Sequence, residues 1–210
     1  MTADEADGKR LELARLAMDL IAKRGSAVTR NELAAESRSS RARIDEIFPE
    51  ESDLFAAVVE LWYSHDIEVM ERVVASDLPI QRKFYEFYAQ RYMRERERFE
   101  EDPALFALYV ELGEGHFEQV RGYIDLADHY LTELIAQAQV EGFFSGLDID
   151  RALSLINQML IAYTSPQVML MISHRLHEEK LARIIDTIFA GLSAEDNGSS
   201  GVNTLRLASS

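Results

Sequence analysis

Thr29, Arg30, Arg38, Ser40, Arg41, Arg43 and Asp45 fall in one short stretch, VTRNELAAESRSSRARIDEIF at 28–48. Their side chains are of the kind that hold nucleic acid. A guanidinium fork pairs bidentately with guanine O6 and N7, and a carboxylate accepts from cytosine N4. A hydroxyl beside free backbone N–H groups at a helix start suits phosphate. Bond-breaking chemistry finds no comparable set. The chain has no cysteine, hence no disulfide, thiolate metal site or cysteine nucleophile. It shows no phosphate-binding glycine loop and no nucleophile elbow. The residues three before the histidines are Trp62, Gly113, Leu126, Met171 and His174, so the Glu-x-x-His pairs of helical metal enzymes do not occur. His174 and His177 share a helix face, but no nearby carboxylate pattern completes a coordination set. The expectation is no enzyme, no metal and no cofactor.

Positioning those side chains requires two short helices. Thr29 with Glu32 is a capping box, and Leu33, Ala34 and Ala35 give the helix behind it a small apolar face. Ser37, Arg38, Ser39 and Ser40 break it, because serines bond nearby backbone and favour caps. Ser40 caps a second helix with Ile44, Ile47 and Phe48 on one side, and Pro49 stops it. Two helices about a tight turn, the second carrying arginines outward, read as a helix-turn-helix or as an ordinary helical hairpin. Upstream, a helix from about Gly8 to Arg24 buries Leu13, Leu16, Ala17, Leu20 and Ile21, with Gly25 as its left-handed cap. Residues 8–49 thus form a three-helix head.

The net charge of −15 is unevenly spread. Residues 9–48 hold nine Lys or Arg against six acids, a local surplus of three, which leaves −18 on the remainder. A mildly basic head on an acidic body would orient the protein on a polyanion. Few Gly and Pro among long runs of Ala, Leu, Glu and Arg predict an all-α chain, and its length permits one or two domains.

Residues 10–62 resemble the N-terminal domain of the tetracycline-repressor (TetR) family. The resemblance lies in Ala22-Lys23-Arg24-Gly25, Thr29, Leu33-Ala34, Ser40-Arg41-Ala42, Ile44, Phe48 and Leu54-Phe55, in order and spacing. It implies about nine helices and a homodimer that binds a palindromic double-stranded operator, responds to a small molecule and acts as a repressor. It implies a phosphate contact for Thr29 and a recognition-helix start at Ser40 and Arg41. Arg43 stands where the family often has Thr and would read guanine, while Arg10 and Arg38 would add phosphate contacts. There are departures. The family's turn glycine is Arg38, so the turn takes another geometry or strains a non-glycine residue. Asp45 replaces a tyrosine and Glu51 a lysine that would touch phosphate, and Glu46 and Glu50 stand beside them. Two readings stay open: the arginines compensate for these acids, or the head has lost specific DNA binding and works through another ligand or protein.

After Pro49, Glu50, Glu51 and Asp53 start a connecting helix over 50–75 whose inner side is Leu54, Val58, Leu61 and Trp62. The effector-binding and dimerisation part spans 50–193. One helix runs from about Ile80 to Phe99 and ends in the charge run RERERFEED, read as a solvated surface. Asp102-Pro103 starts the next, and an apolar stripe follows from Phe117 to Ala138. Asp148 caps a helix whose stretch 152–172 has no charge. Its polar residues oppose a membrane span, and Pro166 should interrupt it near Ala162 or Tyr163. Trp62, His65, Phe84, Tyr88, Phe106, Tyr109, Tyr130, Gln158 and Tyr163 supply the walls and polar tips of a pocket for a moderately hydrophobic ligand, although such residues at helical spacing also build plain cores. Two strongly apolar C-terminal helices suggest a four-helix dimer interface through Ile156, Leu160, Leu181, Ile184 and Ile188. The polar start of the chain, without a signal-peptide core, predicts a cytoplasmic location with no membrane partner. The Ser-rich stretch 194–210 is expected to be a disordered tail.

Overall fold

Capping side chains hold the starts of five helices, through Thr29, Ser40, Asp102, Asp148 and Ser165. A computed structural model describes residues 3–195 and shows ten α-helices and one 3-10 turn, with no strand among the described residues. They are α1 (Ala3–Arg24), α2 (Arg30–Ser37), α3 (Arg41–Ile47), α4 (Glu51–Ala75), α5 (Ile80–Glu101), α6 (Pro103–Gly115), α7 (Phe117–Val140), α8 (Ile149–Thr164), α9 (Pro166–Ile172) and α10 (Glu178–Leu192). Helix α1 starts before the expected Gly8, and the last helix has the expected bounds. Asp102 accepts from the Leu105 N–H at 2.9 Å and Asp148 from the Asp150 N–H at 3.0 Å, each holding a helix start. Pro166 breaks the apolar run at Ser165, two to three residues beyond the expected kink, because Ser165 both ends α8 and caps α9. The two helices are bent by 53° there, and no single helix among the described residues is long and apolar enough to cross a membrane. The expected tail falls mostly at 196–210, outside the described residues.

Two compact units emerge. The first comprises residues up to Ile67 together with Arg98–Asp125. Its core is Leu13, Ala17, Leu20 and Ile21 of α1, Leu33 of α2, Ile44 and Phe48 around α3, and Leu54 and Val58 of α4. Leu108, Tyr109 and Leu112 of α6 pack on that core, so the three-helix head does not close its apolar face alone. The boundary drawn at residue 49 separates the motif, while the packing unit extends beyond it.

The second unit comprises Glu68–Glu97 and the residues from Leu126 onward. At its centre Phe84 meets Phe189 edge-on at 5.0 Å and Phe144 at 6.0 Å. Leu131, Leu134, Ile135, Ile156, Leu160, Leu181, Ile185 and Ile188 fill the space around these rings. Lys83 is buried and donates to the Val74 carbonyl at 2.9 Å and to Gln137 Oε1 at 2.8 Å, satisfying an orphan carbonyl at the end of α4.

The charge run of α5 is not the solvated surface expected of it. Glu95 is buried, and the Arg98 guanidinium lies 4.1 Å from the Trp62 ring centroid while donating to the Trp62 carbonyl at 2.6 Å. Alternating charges at helical spacing put some of each sign on the inner face, where an aromatic ring and a carbonyl receive an arginine stem.

Candidate functional site

The head assembles as its local signals require. Thr29 Oγ1 accepts from the Glu32 N–H at 3.3 Å, and the Thr29 N–H donates to Glu32 Oε2 at 2.8 Å, closing the capping box. Hydrogen bonds from the Thr29 N–H and hydroxyl hold the Glu32 carboxyl below the usual carboxylate range, so the box stays intact through that range and loosens as pH falls through the lowered value. Ser40 Oγ accepts from the Arg43 N–H at 3.2 Å and starts α3.

Between the helices, Arg38 occupies the left-handed region with φ 54° and ψ 28°, its N–H reaching the Ala34 carbonyl. The turn has kept the geometry a glycine would take and placed a Cβ in it, the strained option of the two expected. Arg38→Gly should therefore stabilise the protein by about 0.5–1 kcal/mol, a relief partly offset by glycine's freer unfolded chain. A rise in the urea midpoint would show it. A fall would mean the arginine side chain itself holds the turn.

The arginines are engaged with the acids that surround them. Arg41 Nε lies 2.7 Å from Asp45 Oδ1, and its Nη1 donates to Asn31 Oδ1. Arg43 Nη1 lies 2.6 Å from Glu46 Oε2. Arg10 Nη1 lies 2.6 Å from Glu60 Oε2, with its guanidinium 5.7 Å from the centroid of the Phe48 ring. Arg30 is the most enclosed, with a side chain only 13% exposed. Its Nη1 donates to Asp45 Oδ1 at 3.0 Å, to the Phe48 carbonyl at 2.8 Å and to the Pro49 carbonyl. Its Nε lies 3.3 Å from Glu51 Oε1, and its backbone N–H donates to Glu51 Oε2 at 2.9 Å. Arg30 is thus a tie between α2, the end of α3 and the start of α4, not the outward DNA ligand expected of it. Asp45 is the shared acceptor of two guanidinium groups. Asn31, Glu46 and Glu51 belong to the network although sequence reading gave them no such role. The spacings Arg41–Asp45 and Arg43–Glu46 were the available signal.

The nine expected ligand residues divide between the units. In the first, Trp62 stacks on Tyr109 at 4.2 Å between ring centroids. Tyr109 donates to the Met18 carbonyl at 3.4 Å, and burial, with Asp19 nearby, pushes its hydroxyl up to about 12. His65 is half-buried and Phe106 is buried. In the second, Tyr163 donates to the His177 carbonyl at 3.1 Å and Tyr130 to Glu71 at 2.8 Å, so both hydroxyls are spoken for. Phe84 is core, and Gln158 is exposed and donates to Ser154. Tyr88 differs from all of these. Its ring is 2% exposed and its hydroxyl has no hydrogen-bond partner, while burial drives its pKa strongly upward. A buried orphan hydroxyl costs about 1–3 kcal/mol, and an incoming polar group would recover it.

The dimer residues need a correction. Ile156, Leu160, Leu181 and Ile188 are buried within the second unit of the single chain, and only Ile184 of the five keeps some solvent access. Their stripe faces the chain's own core. The apolar side chains that α8 leaves exposed are Met159 and Ile161.

A helix-turn-helix head followed by a long helix and a helical body defines a class of all-α proteins. The family model for the C-terminal domain of tetracyclin-repressor-like proteins matches residues 81–185, half of the sequence. The chain belongs to the tetracycline-repressor (TetR) family. A protein of Mesorhizobium loti assigned to the TetR-family transcriptional regulators has the same fold, with a TM-score of 0.59, 16% identity, and coverage of 91% of this chain and 97% of that one. The TetR family transcriptional regulator PfmR of Thermus thermophilus gives a TM-score of 0.50 at 17% identity, covering 86% of this chain and 98% of its own. No curated protein matches the sequence.

Proposed function

We propose that this TetR-family chain is a ligand-responsive transcriptional repressor that binds a palindromic operator as a homodimer in the cytoplasm. The observation that carries the reading is α3, started by Ser40 and bearing Arg41 and Arg43 beside the α2 capping box, within a chain of this family. Helix α3 is the recognition helix. Arg43 reads a guanine, and Thr29, Arg10 and Arg38 address the backbone. The partner protomer docks on α8 and α10, with Met159, Ile161 and Ile184 as the apolar side chains still open to it. The effector is a moderately hydrophobic small molecule with a polar group for the Tyr88 hydroxyl. It acts through α4, which contributes residues to both units and whose start is tied to α2. A change in the spacing of the two heads of a dimer would release two operator half-sites together.

Pairing of Arg41 and Arg43 with Asp45 and Glu46 favours a second reading, in which the head has lost specific DNA binding and the protein acts through its body. Arg43→Ala separates the two. On DNA from upstream of the protein's own gene, measured against random DNA at fixed salt, this variant should lose about 1–3 kcal/mol of operator affinity, roughly five- to 150-fold. Equal and weak binding to both DNAs by the unaltered protein would establish the second reading. Specific binding untouched by the substitution would remove Arg43 from base readout.

A further inference from the structure

A hydroxyl taken out of water without a new partner destabilises the fold that buries it, and native chains seldom keep one. Tyr88 of α5 is such a residue, buried and with its oxygen bonded by no group of the chain. Phenylalanine would fill the same space without that cost, so the hydroxyl points to a bound molecule that uses it. Two charged side chains of the second unit act on this oxygen. Arg91 follows Tyr88 by one turn of α5, with its guanidinium 5.0 Å from the centroid of the Phe87 ring. Asp128 of α7 accepts from Asn157 Nδ2 of α8 at 2.8 Å, and both residues are half-buried. Burial pushes the Tyr88 hydroxyl strongly upward, while Arg91 pulls it down and Asp128 pushes it up, so fields of opposite sign meet there.

We propose that Tyr88, Arg91 and Asp128 select the effector by an uncharged head group that both donates and accepts a hydrogen bond, an alcohol or a primary carboxamide. The proposal rests on the ligand-responsive reading and sharpens it to a head-group class. The Tyr88 O–H donates to the head-group oxygen. The head group's own O–H or N–H donates to Asp128, since a carboxylate accepts more than the one bond from Asn157. A carboxylate head would gain Arg91 and meet Asp128, and an ammonium head would gain Asp128 and meet Arg91. Either ion would also leave water for a place beside a buried ring. Both charged classes are therefore rejected, and hydrogen bonding decides between the neutral ones.

Toluene, benzyl alcohol, benzoate and benzylammonium share one shape and differ in the head group. Each is titrated against the full chain and against Tyr88→Phe, with the melting temperature followed by far-UV circular dichroism. A compound that binds the folded chain raises that temperature saturably. Benzyl alcohol should do so at lower concentration than the other three, and should bind about two- to tenfold more weakly to Tyr88→Phe, as expected for one hydrogen bond. With no compound present, Tyr88→Phe should melt about 2–4 °C higher than the unaltered protein. A lower melting temperature would mean that the hydroxyl is already satisfied, by the chain or by a held water, and overturns the proposal. Asp128→Asn should turn the preference toward benzoate, because the carboxylate that opposes Arg91 is gone, and an unchanged preference overturns the balance of charges. Toluene binding as tightly as benzyl alcohol, or no response to any of the four, also overturns the proposal and leaves a ligand-responsive regulator of other specificity standing. Tyr88-dependent binding of benzyl alcohol without any loss of affinity for the upstream DNA would uphold the head-group selection and sink the ligand-responsive reading.

Discussion

Phe84→Ala should lower the unfolding free energy of the second unit by about 3–5 kcal/mol, the largest single loss expected in this chain. Phe84 is 1% exposed, and its ring meets both Phe189 of α10 and Phe144 of the segment after α7. Phe143 and Phe144 also contact Phe189, at 5.1 Å and 4.8 Å between centroids, so truncation opens a hole lined by rings that cannot collapse into it without leaving their rotamers. Phe144 is further constrained by a positive φ of 53°. Tyr88 follows Phe84 by one helical turn, and the loss should reach the candidate effector position with it. Urea unfolding followed by far-UV circular dichroism would measure the cost, with Phe84→Leu expected to recover a large part of it. A loss below about 1 kcal/mol would mean the aromatic cluster is peripheral to the core.

What could be read from the sequence was what is decided within one helical turn. Thr29 with Glu32, Ser40, Asp102 before Pro103, Asp148 and the last helix all behave as their local chemistry requires. Periodicity located the apolar stripes but not what covers them. Ile156, Leu160, Leu181 and Ile188 looked like a surface for a second subunit and are the chain's own core, because a stripe has the same spacing whichever element packs on it. The same limit misplaced the α5 charges, where Glu95 turned inward and Arg98 found the Trp62 ring. In the head, the family resemblance sets Asp45 and Glu51 where neutral or basic phosphate ligands would stand. Asp45 and Glu46 nevertheless sit at i+4 and i+3 from Arg41 and Arg43, a spacing that makes their pairing legible in the sequence. The Arg30–Glu51 contact joins residues too far apart for any local pattern.

That contact makes Arg30→Met the second substitution with a large expected effect. Methionine keeps much of the stem volume and removes five N–H donors. The Phe48 and Pro49 carbonyls at the end of α3 lose their donor, and Asp45 and Glu51 lose a shared cation. A buried ion pair broken on one side costs about 3–5 kcal/mol, but Asp45 and Glu51 are 43% and 52% exposed and can return to water. About 2 kcal/mol is therefore expected, arising mainly from the two carbonyls. Trp62, the single tryptophan, belongs to the same unit, so its fluorescence during urea unfolding reports the loss. Arg30→Lys should recover little, since one ammonium on a flexible stem cannot reach two carbonyls and two carboxylates in a fixed plane. Full recovery with lysine would show that charge alone holds the junction. On DNA, the methionine variant should lose more operator affinity than its stability loss explains under conditions where it remains folded. The reason is geometric: α3 is held against α2 and α4 by this fork, and a recognition helix displaced by an ångström forfeits bidentate contacts that require aligned donors.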